Sequence, residues 1–269
     1  MADLHPKEGL AMVNTMEFSN PARQRQLRSN DVNGVARHES LWKLNQNQWY
    51  ETPNIRRGGW SGVCKASLSF IDASQQEVFI KRQENHFYRS LKHCLINRPT
   101  FEREYSNIMQ FAKLGIPTLD VVYFSSKKVN GKHQCILITK ELEGYLSLET
   151  LYLPSLETQK RRIVLENIAK TMHKMHLHHF QHGNLYPKHV FVRINYNQSV
   201  ETCFIDLEKT RRRTFKNALS IKDLGIFNRH LKDVSRTDRL RFFLAYRKEK
   251  KLSRTSKKIL KKILRKKRK

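Results

Sequence analysis

The residues best placed for chemistry lie in one stretch of the chain, residues 182–213. A loop at residues 182–185 leads into an apolar strand at residues 190–192, and a second apolar strand at residues 203–205 is followed directly by Asp206. If these strands pair, the loop lies beside a carboxylate that can hold a divalent cation, which is an arrangement suited to phosphoryl transfer. An ordinary hairpin is the alternative, and this stretch alone leaves both interpretations open.

Asn184 weakens the catalytic interpretation of the loop. Protein kinases carry an aspartate as the base at the corresponding position, and the amide of Asn184 cannot take a proton from a hydroxyl group. General-base assistance is typically worth about 10² to 10⁴ in rate, whereas positioning and charge neutralisation carry most of phosphoryl transfer. The sequence therefore allows a slow kinase.

A glycine turn upstream is a second candidate for ligand binding. Gly58, Gly59 and Gly62 fall within five residues, and Ser61 lies between the second and the third. Such a turn can direct backbone N–H groups at phosphate oxygens. A plain glycine hairpin is the alternative, and a Walker A loop is excluded because no GK[ST] follows.

Lys81 ends a predicted strand one hairpin after that turn. The sequence Val-Phe-Ile-Lys is close to the VAIK of a kinase strand whose lysine contacts the nucleotide phosphates, although a surface lysine would have the same pattern. Helical spacing predicts a helix at residues 101–114, and Glu104 on it is the expected ion-pair partner of Lys81. Glu102 is the competing choice, and a solvated glutamate near a helix N-terminus is the other alternative.

The elements that would position these residues form two groups. Before residue 140 the patterns predict about five antiparallel strands and one helix; after it, helices are predicted at residues 158–180, 220–230 and 236–247. The patterns therefore predict a small lobe of antiparallel sheet plus helix, followed by a second lobe that is mainly helical. The predicted divisions are a polar N-terminal extension (1–40), a small lobe (41–140), a large lobe (141–250) and a basic tail (251–269).

Composition indicates a folded protein with anionic partners. Of 269 residues 39% are hydrophobic, and the net charge is +28. The four cysteines are scattered, which favours reduced thiols over a disulfide framework or a zinc site. Because there is no signal-peptide-like run and no 18-residue apolar window, we expect a cytoplasmic protein.

Two further patterns have competing explanations. The basic tail has helical apolar spacing, which favours a helix lying on an anionic membrane surface over a solvated helix end or a nucleic-acid contact. Histidines recur every three residues from His173 to His182, and we expect a hydrated face there because no HExxH or other ligand completes a metal site.

Taken together, these motifs resemble the lipopolysaccharide kinase (Kdo/WaaP) family, and within it the InaA-like group. The resemblance covers roughly residues 50 to 235. The stretches that carry it are PNIRRGGWSGV, RPTFEREY, LGIP, LITKELEG, QHGNLYPKHVFV and FIDLEKTRRR.

The resemblance implies an α+β, protein-kinase-like two-lobed fold, with a small lobe of antiparallel sheet plus helix, a larger, mainly helical lobe, and ATP bound in the cleft between them. Gly58, Gly59 and Gly62, with Ser61, would cover its phosphates, and Lys81 would contact them. The remaining implied roles are the pairing of Lys81 with Glu104, Mg²⁺ binding by Asp206 and His189, nucleotide contact at Glu141, and bracing of the catalytic loop by Asp223. Because Asn184 cannot act as the base, Glu208, two residues beyond Asp206, is a candidate substitute base.

Two functions follow as hypotheses. The first is an ATP-dependent kinase that phosphorylates heptose or Kdo in the lipopolysaccharide inner core and is peripheral to the cytoplasmic face of the inner membrane. The second is a catalytically impaired pseudokinase acting as a nucleotide-binding scaffold or stress-response module, motivated by Asn184. A nucleic-acid partner rests on charge alone and is not expected, since no helix–turn–helix, zinc finger or RNP signature is present.

Overall fold

The computed structural model describes residues 34–45, 48–56, 58–69, 75–90, 93–214 and 216–265. Most of the predicted N-terminal extension (1–40) and the last four residues of the tail lie outside them. Helix α1, Gly34–Lys43, crosses the boundary predicted at residue 40.

The first lobe is built on a five-stranded antiparallel sheet. Val78 and Ile80 alternate on the face of its central strand that packs, with Trp42 of α1, into a small hydrophobic core. The strands run in the order β1-β2-β3-β7-β6: β1 (Trp49–Arg56), β2 (Gly59–Ser69), β3 (Gln75–Glu84), β6 (Val121–Val129) and β7 (Lys132–Lys140).

Helix α2, Thr100–Lys113, lies against this sheet and faces the second lobe. Phe101, Ile108 and Phe111 are buried on one side of it at helical spacing, and the left-handed Gly115 follows its end. Between the sheet and α2 is a hairpin of β4 (Phe87–Ser90) and β5 (His93–Pro99), which the sequence patterns did not predict.

The second lobe is mainly helical and carries two small sheets. Its central helix α3 (Thr158–Leu177) buries a stripe of methionines and aliphatic residues, as predicted, and ends three residues before the expected end at Phe180. The remaining elements are β8 (Leu146–Ser147), β9 (Phe180–Gln181), β10 (Val190–Ile194), β11 (Val200–Phe204), β12 (Arg211–Arg212), α4 (Lys216–His230), α5 (Arg236–Arg247) and α6 (Arg254–Arg265). The predicted α+β two-lobed fold is confirmed.

The tail helix α6 is docked on the second lobe. Ile259 and Ile263 are buried in the main hydrophobic core, and Ser256 anchors the start of the helix by donating to Glu249 at 2.8 Å. The apolar side that the sequence offered to a membrane is therefore largely covered by protein, which leaves Leu264 as an exposed apolar residue of this helix, at 58%. None of the helices in the described ranges is long and apolar enough to cross a membrane.

Candidate active site

The small-lobe half of the candidate site is an ion pair between β3 and α2. Lys81 lies on the central strand, and its Nζ is 2.6 Å from Oε1 of Glu104, a side chain that is 1% exposed. Burial acts to lower the pKa of Lys81, but Glu104, and less strongly Asp206 and Glu208, more than offset it and raise that pKa. The competing residue Glu102 lies 3.8 Å from Arg98 instead.

Gly58 lies in the turn just before β2, whereas Gly59 and Gly62 lie within β2, and the three glycines meet different local requirements. Gly58 has a left-handed φ of +76° and open space around it, whereas a Cβ on Gly59 would lie 2.4 Å from the backbone of Asn85. A Cβ on Gly62 would lie 2.4 Å from the Trp49 ring. Packing within the protein therefore accounts for glycine at positions 59 and 62.

Two residues of this turn region, Ser61 and Gly62, line the cleft between the lobes. Gly58 and Gly59 lie outside that lining. Phosphate contact by the glycine turn stays a prediction. Because Ser61 and Gly62 line the cleft and Gly58 and Gly59 do not, such a contact would be made at Ser61 and Gly62.

The large-lobe half of the site centres on Asp206. This residue follows β11 in a left-handed conformation (φ 59°, ψ 56°), which an aspartate tolerates better than a branched residue. Asn184 Nδ2 donates a hydrogen bond to Asp206 Oδ2 at 2.6 Å. The residue that replaces the expected base is therefore hydrogen-bonded to the carboxylate that is predicted to bind the metal ion.

His189 approaches the same carboxylate oxygen of Asp206. Its Nδ1 lies 2.7 Å from the Asn184 carbonyl, which can only accept, so Nδ1 carries the hydrogen. In the neutral ring Nε2 then has a bare lone pair, 3.4 Å from Asp206 Oδ2. Two lone-pair acceptors that face each other repel unless a cation lies between them. This pair of side chains therefore fits a divalent metal ion.

The pair does not make a complete metal cage. Among the described residues no group of three or more His, Cys, Asp or Glu side chains is gathered to hold an ion. Magnesium in phosphoryl-transfer sites is typically bound by one or two protein carboxylates plus substrate phosphates and water. Asp206 and His189 could thus hold the ion only together with a nucleotide.

Asp223 of α4 braces the loop that carries Asn184. Its two oxygens accept hydrogen bonds from the backbone N–H groups of His182, at 2.7 Å, and Gly183, at 2.9 Å. Oδ2 is also 3.1 Å from Nε2 of His176, whose Nδ1 is 2.8 Å from the Tyr246 hydroxyl. These are the contacts expected of the bracing aspartate.

The hydrated histidine face predicted from sequence is wrong for His176 and His182. Both are buried, because α4 and the segment after β11 supply partners for them. His182 Nε2 lies 3.0 Å from the Ile205 carbonyl, and burial, opposed by Asp223 and Asp206, lowers the pKa of His182. The loop is therefore held by buried, hydrogen-bonded groups.

Two predicted residues occupy the edges of the site. Glu208 lines the cleft, and burial, followed by the charges of Asp206 and Glu104, raises its pKa. Glu141 also lines the cleft; its carboxylate pairs with Lys65 at 3.0 Å.

One cleft of about 1780 Å³ is lined by Lys81, Glu104, Glu141, Asn184, His189, Asp206 and Glu208, whereas Asp223 and His182 lie outside its lining. Asn107 of α2 ties its two walls together, because its amide donates to the carbonyls of Leu207, at 2.8 Å, and Thr210, at 3.1 Å. Sequence reasoning missed Asn107, since a buried amide on a helix gives no local sign of partners a hundred residues away. The cleft is larger than the usual range of about 300–1,000 Å³ for a single small ligand.

Comparisons with known proteins identify the family and a similar fold. The model of the family described as "Lipopolysaccharide kinase (Kdo/WaaP) family" matches residues 39–246. Protein InaA of Escherichia coli (strain K12) is 27% identical over 201 residues, which are 73% of this chain and 89% of that protein. A solved structure, "WaaP in complex with acyl carrier protein", superposes with a TM-score of 0.60 at 18% identity, covering 81% of this chain and 88% of that one. The resemblance inferred from the motifs is confirmed, and the structural likeness supports the fold.

Proposed function

This chain belongs to the lipopolysaccharide kinase (Kdo/WaaP) family, and from that premise we propose that it transfers a phosphoryl group from ATP to a sugar of the lipopolysaccharide inner core, heptose or Kdo. The observation that carries the proposal is the shared cleft of Lys81 and Asp206. An ammonium from the small lobe and a carboxylate from the large lobe face the same space, as a metal-bound triphosphate requires.

Each residue of the site has a definite task in such a transfer. Bound Mg-ATP supplies the phosphoryl group and neutralises charge. Lys81, which is fixed by Glu104, binds phosphate oxygens through Nζ. The metal ion would be bound by Asp206 and His189. Asn184 keeps Asp206 in one orientation through its amide hydrogen bond.

The proton of the acceptor hydroxyl needs a destination other than Asn184. Glu208 lines the same cleft, and its raised pKa makes its carboxylate a better proton acceptor than a fully solvated one. We assign it the role of substitute base, with an Oε atom receiving the proton. Because general-base assistance is worth about 10² to 10⁴ in rate, a less ideally placed base gives a slow enzyme rather than an inactive one.

The location we propose is cytoplasmic and peripheral to the inner membrane. Charge supports this: the chain carries +28, and α6 presents Lys257, Lys261 and Arg265 beside the exposed Leu264. Since Ile259 and Ile263 are buried in the lobe, attraction to anionic lipid headgroups, more than insertion of an apolar face, would hold the protein there.

Transfer of labelled phosphate from ATP to purified core oligosaccharide tests the proposal. Lys81→Ala and Asp206→Ala should each reduce transfer at least 100-fold. Lys128→Ala, an exposed lysine on edge strand β6 of the same sheet, is the control that removes charge without touching the cleft. Transfer that is equal in all four proteins would reject the proposal.

The hydrogen bond from Asn184 to Asp206 favours a second candidate, a pseudokinase that binds nucleotide and acts through a protein contact. Thermal-shift titration with Mg-ATP beside a turnover assay separates the two. Binding without turnover, unchanged by Asn184→Asp, would support the scaffold. A rate increase in Asn184→Asp would support the kinase.

A further inference from the structure

Two cationic side chains that line the cleft have no assigned role in binding the nucleotide. Lys81 and Asp206 account for the triphosphate and its metal, yet the same cleft is lined by Arg103 of α2 and by Arg211 of β12. The cleft volume of about 1780 Å³ leaves room for a second ligand beside a nucleotide.

Arg103 is held in place without a counterion. Its guanidinium carbon lies 3.9 Å from the centroid of the Tyr88 ring, a contact that fixes the plane of the group. Its Nε is buried and has no hydrogen-bond partner in the part of the chain that the structure describes. A buried donor without an acceptor is destabilising, and an oxyanion in the guanidinium plane would supply the missing acceptor.

Arg211 reaches the same region from the other lobe. Pairing of Arg211 with Gln181 anchors β12 to β9, and within the described ranges no carboxylate forms an ion pair with Arg211 or Arg103. Burial lowers the pKa of Arg103, and the positive charge of Arg211 lowers it further. Glu208 opposes this effect only in part.

The backbone that carries Arg211 is fixed to the helix that carries Arg103. Asn107, one turn along α2 from Arg103, donates hydrogen bonds to the carbonyls of Leu207 and Thr210, and Thr210 directly precedes Arg211. The two arginines therefore enter one cleft from opposite walls that are joined to each other.

We propose that Arg103 and Arg211 form a subsite for a second oxyanion, a phosphate group already present on the acceptor glycolipid, distinct from the phosphates of the nucleotide. Paired arginines suit a phosphate because each guanidinium can donate two parallel hydrogen bonds to it. The acceptor part of this inference rests on the proposed function, whereas the anion site itself does not.

Binding of inorganic phosphate, measured by calorimetry at fixed ionic strength with Mg²⁺ and a non-hydrolysable ATP analogue present, tests the site directly. We expect saturable binding that weakens about 10- to 100-fold in Arg103→Gln and in Arg211→Gln. Arg212→Gln is the matched control, because Arg212 is the neighbouring arginine of the same strand but stacks on Phe180 outside the cleft. It should bind phosphate like the wild type.

Three results would overturn the site. They are equal loss of phosphate binding in Arg212→Gln, no saturable binding to the wild type, and a fall in ATP-analogue affinity as large as the fall for phosphate, which would assign the arginines to the nucleotide. ATP turnover, assayed separately on the same protein preparations without the analogue, tests the proposed function independently.

Competition identifies the source of the phosphate. Intact core oligosaccharide should displace inorganic phosphate from the wild type, and the same oligosaccharide after phosphatase treatment should do so at least tenfold less well. Equal competition by both preparations would overturn the assignment to an acceptor phosphate.

Discussion

The two halves of the site hold their charged groups in different ways. In the small lobe, Lys81 and Glu104 form a direct pair of opposite charges at 2.6 Å. In the large lobe, the carboxylate of Asp206 has an amide and an imidazole as neighbours instead of a fixed cation. In the small lobe the two opposite charges already balance each other. In the large lobe the carboxylate of Asp206 can still bind a cation.

This difference separates nucleotide binding from acceptor activation. Phosphate binding needs a fixed ammonium and a metal-holding carboxylate, and both are present in one cleft. Activation of a hydroxyl needs a base, and at the usual position the chain has Asn184. Under the proposed function, the site would bind Mg-ATP with the groups that it retains, and the rate of transfer would depend on what replaces the base.

The largest effect should come from breaking the small-lobe pair. Lys81→Met leaves the buried carboxylate of Glu104 without a partner, and we expect the free energy of unfolding to fall by about 3 kcal/mol. The double variant Lys81→Met/Glu104→Gln should regain most of that loss, because no uncompensated charge remains. Urea unfolding measures both. A single variant within 0.5 kcal/mol of wild type, on the order of ordinary surface changes, would contradict the fixed ion pair.

In the large lobe the comparable change is Asp223→Asn. An amide nitrogen in place of one oxygen would face an N–H donor at His182 or Gly183, so we expect a loss of about 2 kcal/mol in unfolding free energy. Turnover should fall as well, since the loop carrying Asn184 loses its support. Asp233→Asn is the control: Asp233 is exposed and left-handed, a conformation that asparagine also adopts.

Glycine substitutions sharpen the contrast between the lobes. Gly62→Ala puts a methyl group into the Trp49 ring and should cost about 1–3 kcal/mol. Gly225→Ala, in the interior of α4, meets only the Arg229 side chain at 3.4 Å and should stabilise by about 0.5–1 kcal/mol. Thermal unfolding measures whether each substitution lowers or raises the stability of the protein. A neutral Gly62→Ala would show that the turn is looser than the packing indicates.

The smallest effect concerns pH and His182. Because burial lowers its pKa in the folded protein, the unfolded chain binds the proton more readily below about pH 6.5, and stability falls as pH decreases through that value. One such group contributes at most about 1.4 kcal/mol per pH unit. His182→Gln should flatten this dependence between pH 7 and pH 5, and an unchanged slope in urea unfolding would refute the assignment.

Much of the site could be predicted because each residue has a local pattern around it. Lys81 ends an alternating strand, Glu104 lies on a helix with clear periodicity, and Asp206 follows an apolar strand. These signals depend only on neighbours in sequence. Their convergence in one cleft follows once the two-lobed fold is recognised.

The features that could not be predicted from the sequence depend on contacts between elements that are far apart in the chain. His176 and His182 have surface-like spacing, yet Asp223 and Tyr246 make their burial possible. The contact of Arg103 with Tyr88 needs the β4–β5 hairpin, whose mixed residues gave no strand pattern. The burial of α6 likewise depends on a matching surface on the second lobe.

The most direct test of the account is the affinity for Mg-ATP in wild type, Lys81→Met, Asp206→Asn and the double variant, measured by calorimetry. If one nucleotide bridges the lobes, the wild type binds it only with the divalent ion, each single change weakens binding at least tenfold, and the two changes are not additive. Equal Mg-ATP affinity in all four proteins would contradict the claim that Lys81 and Asp206 hold the same ligand.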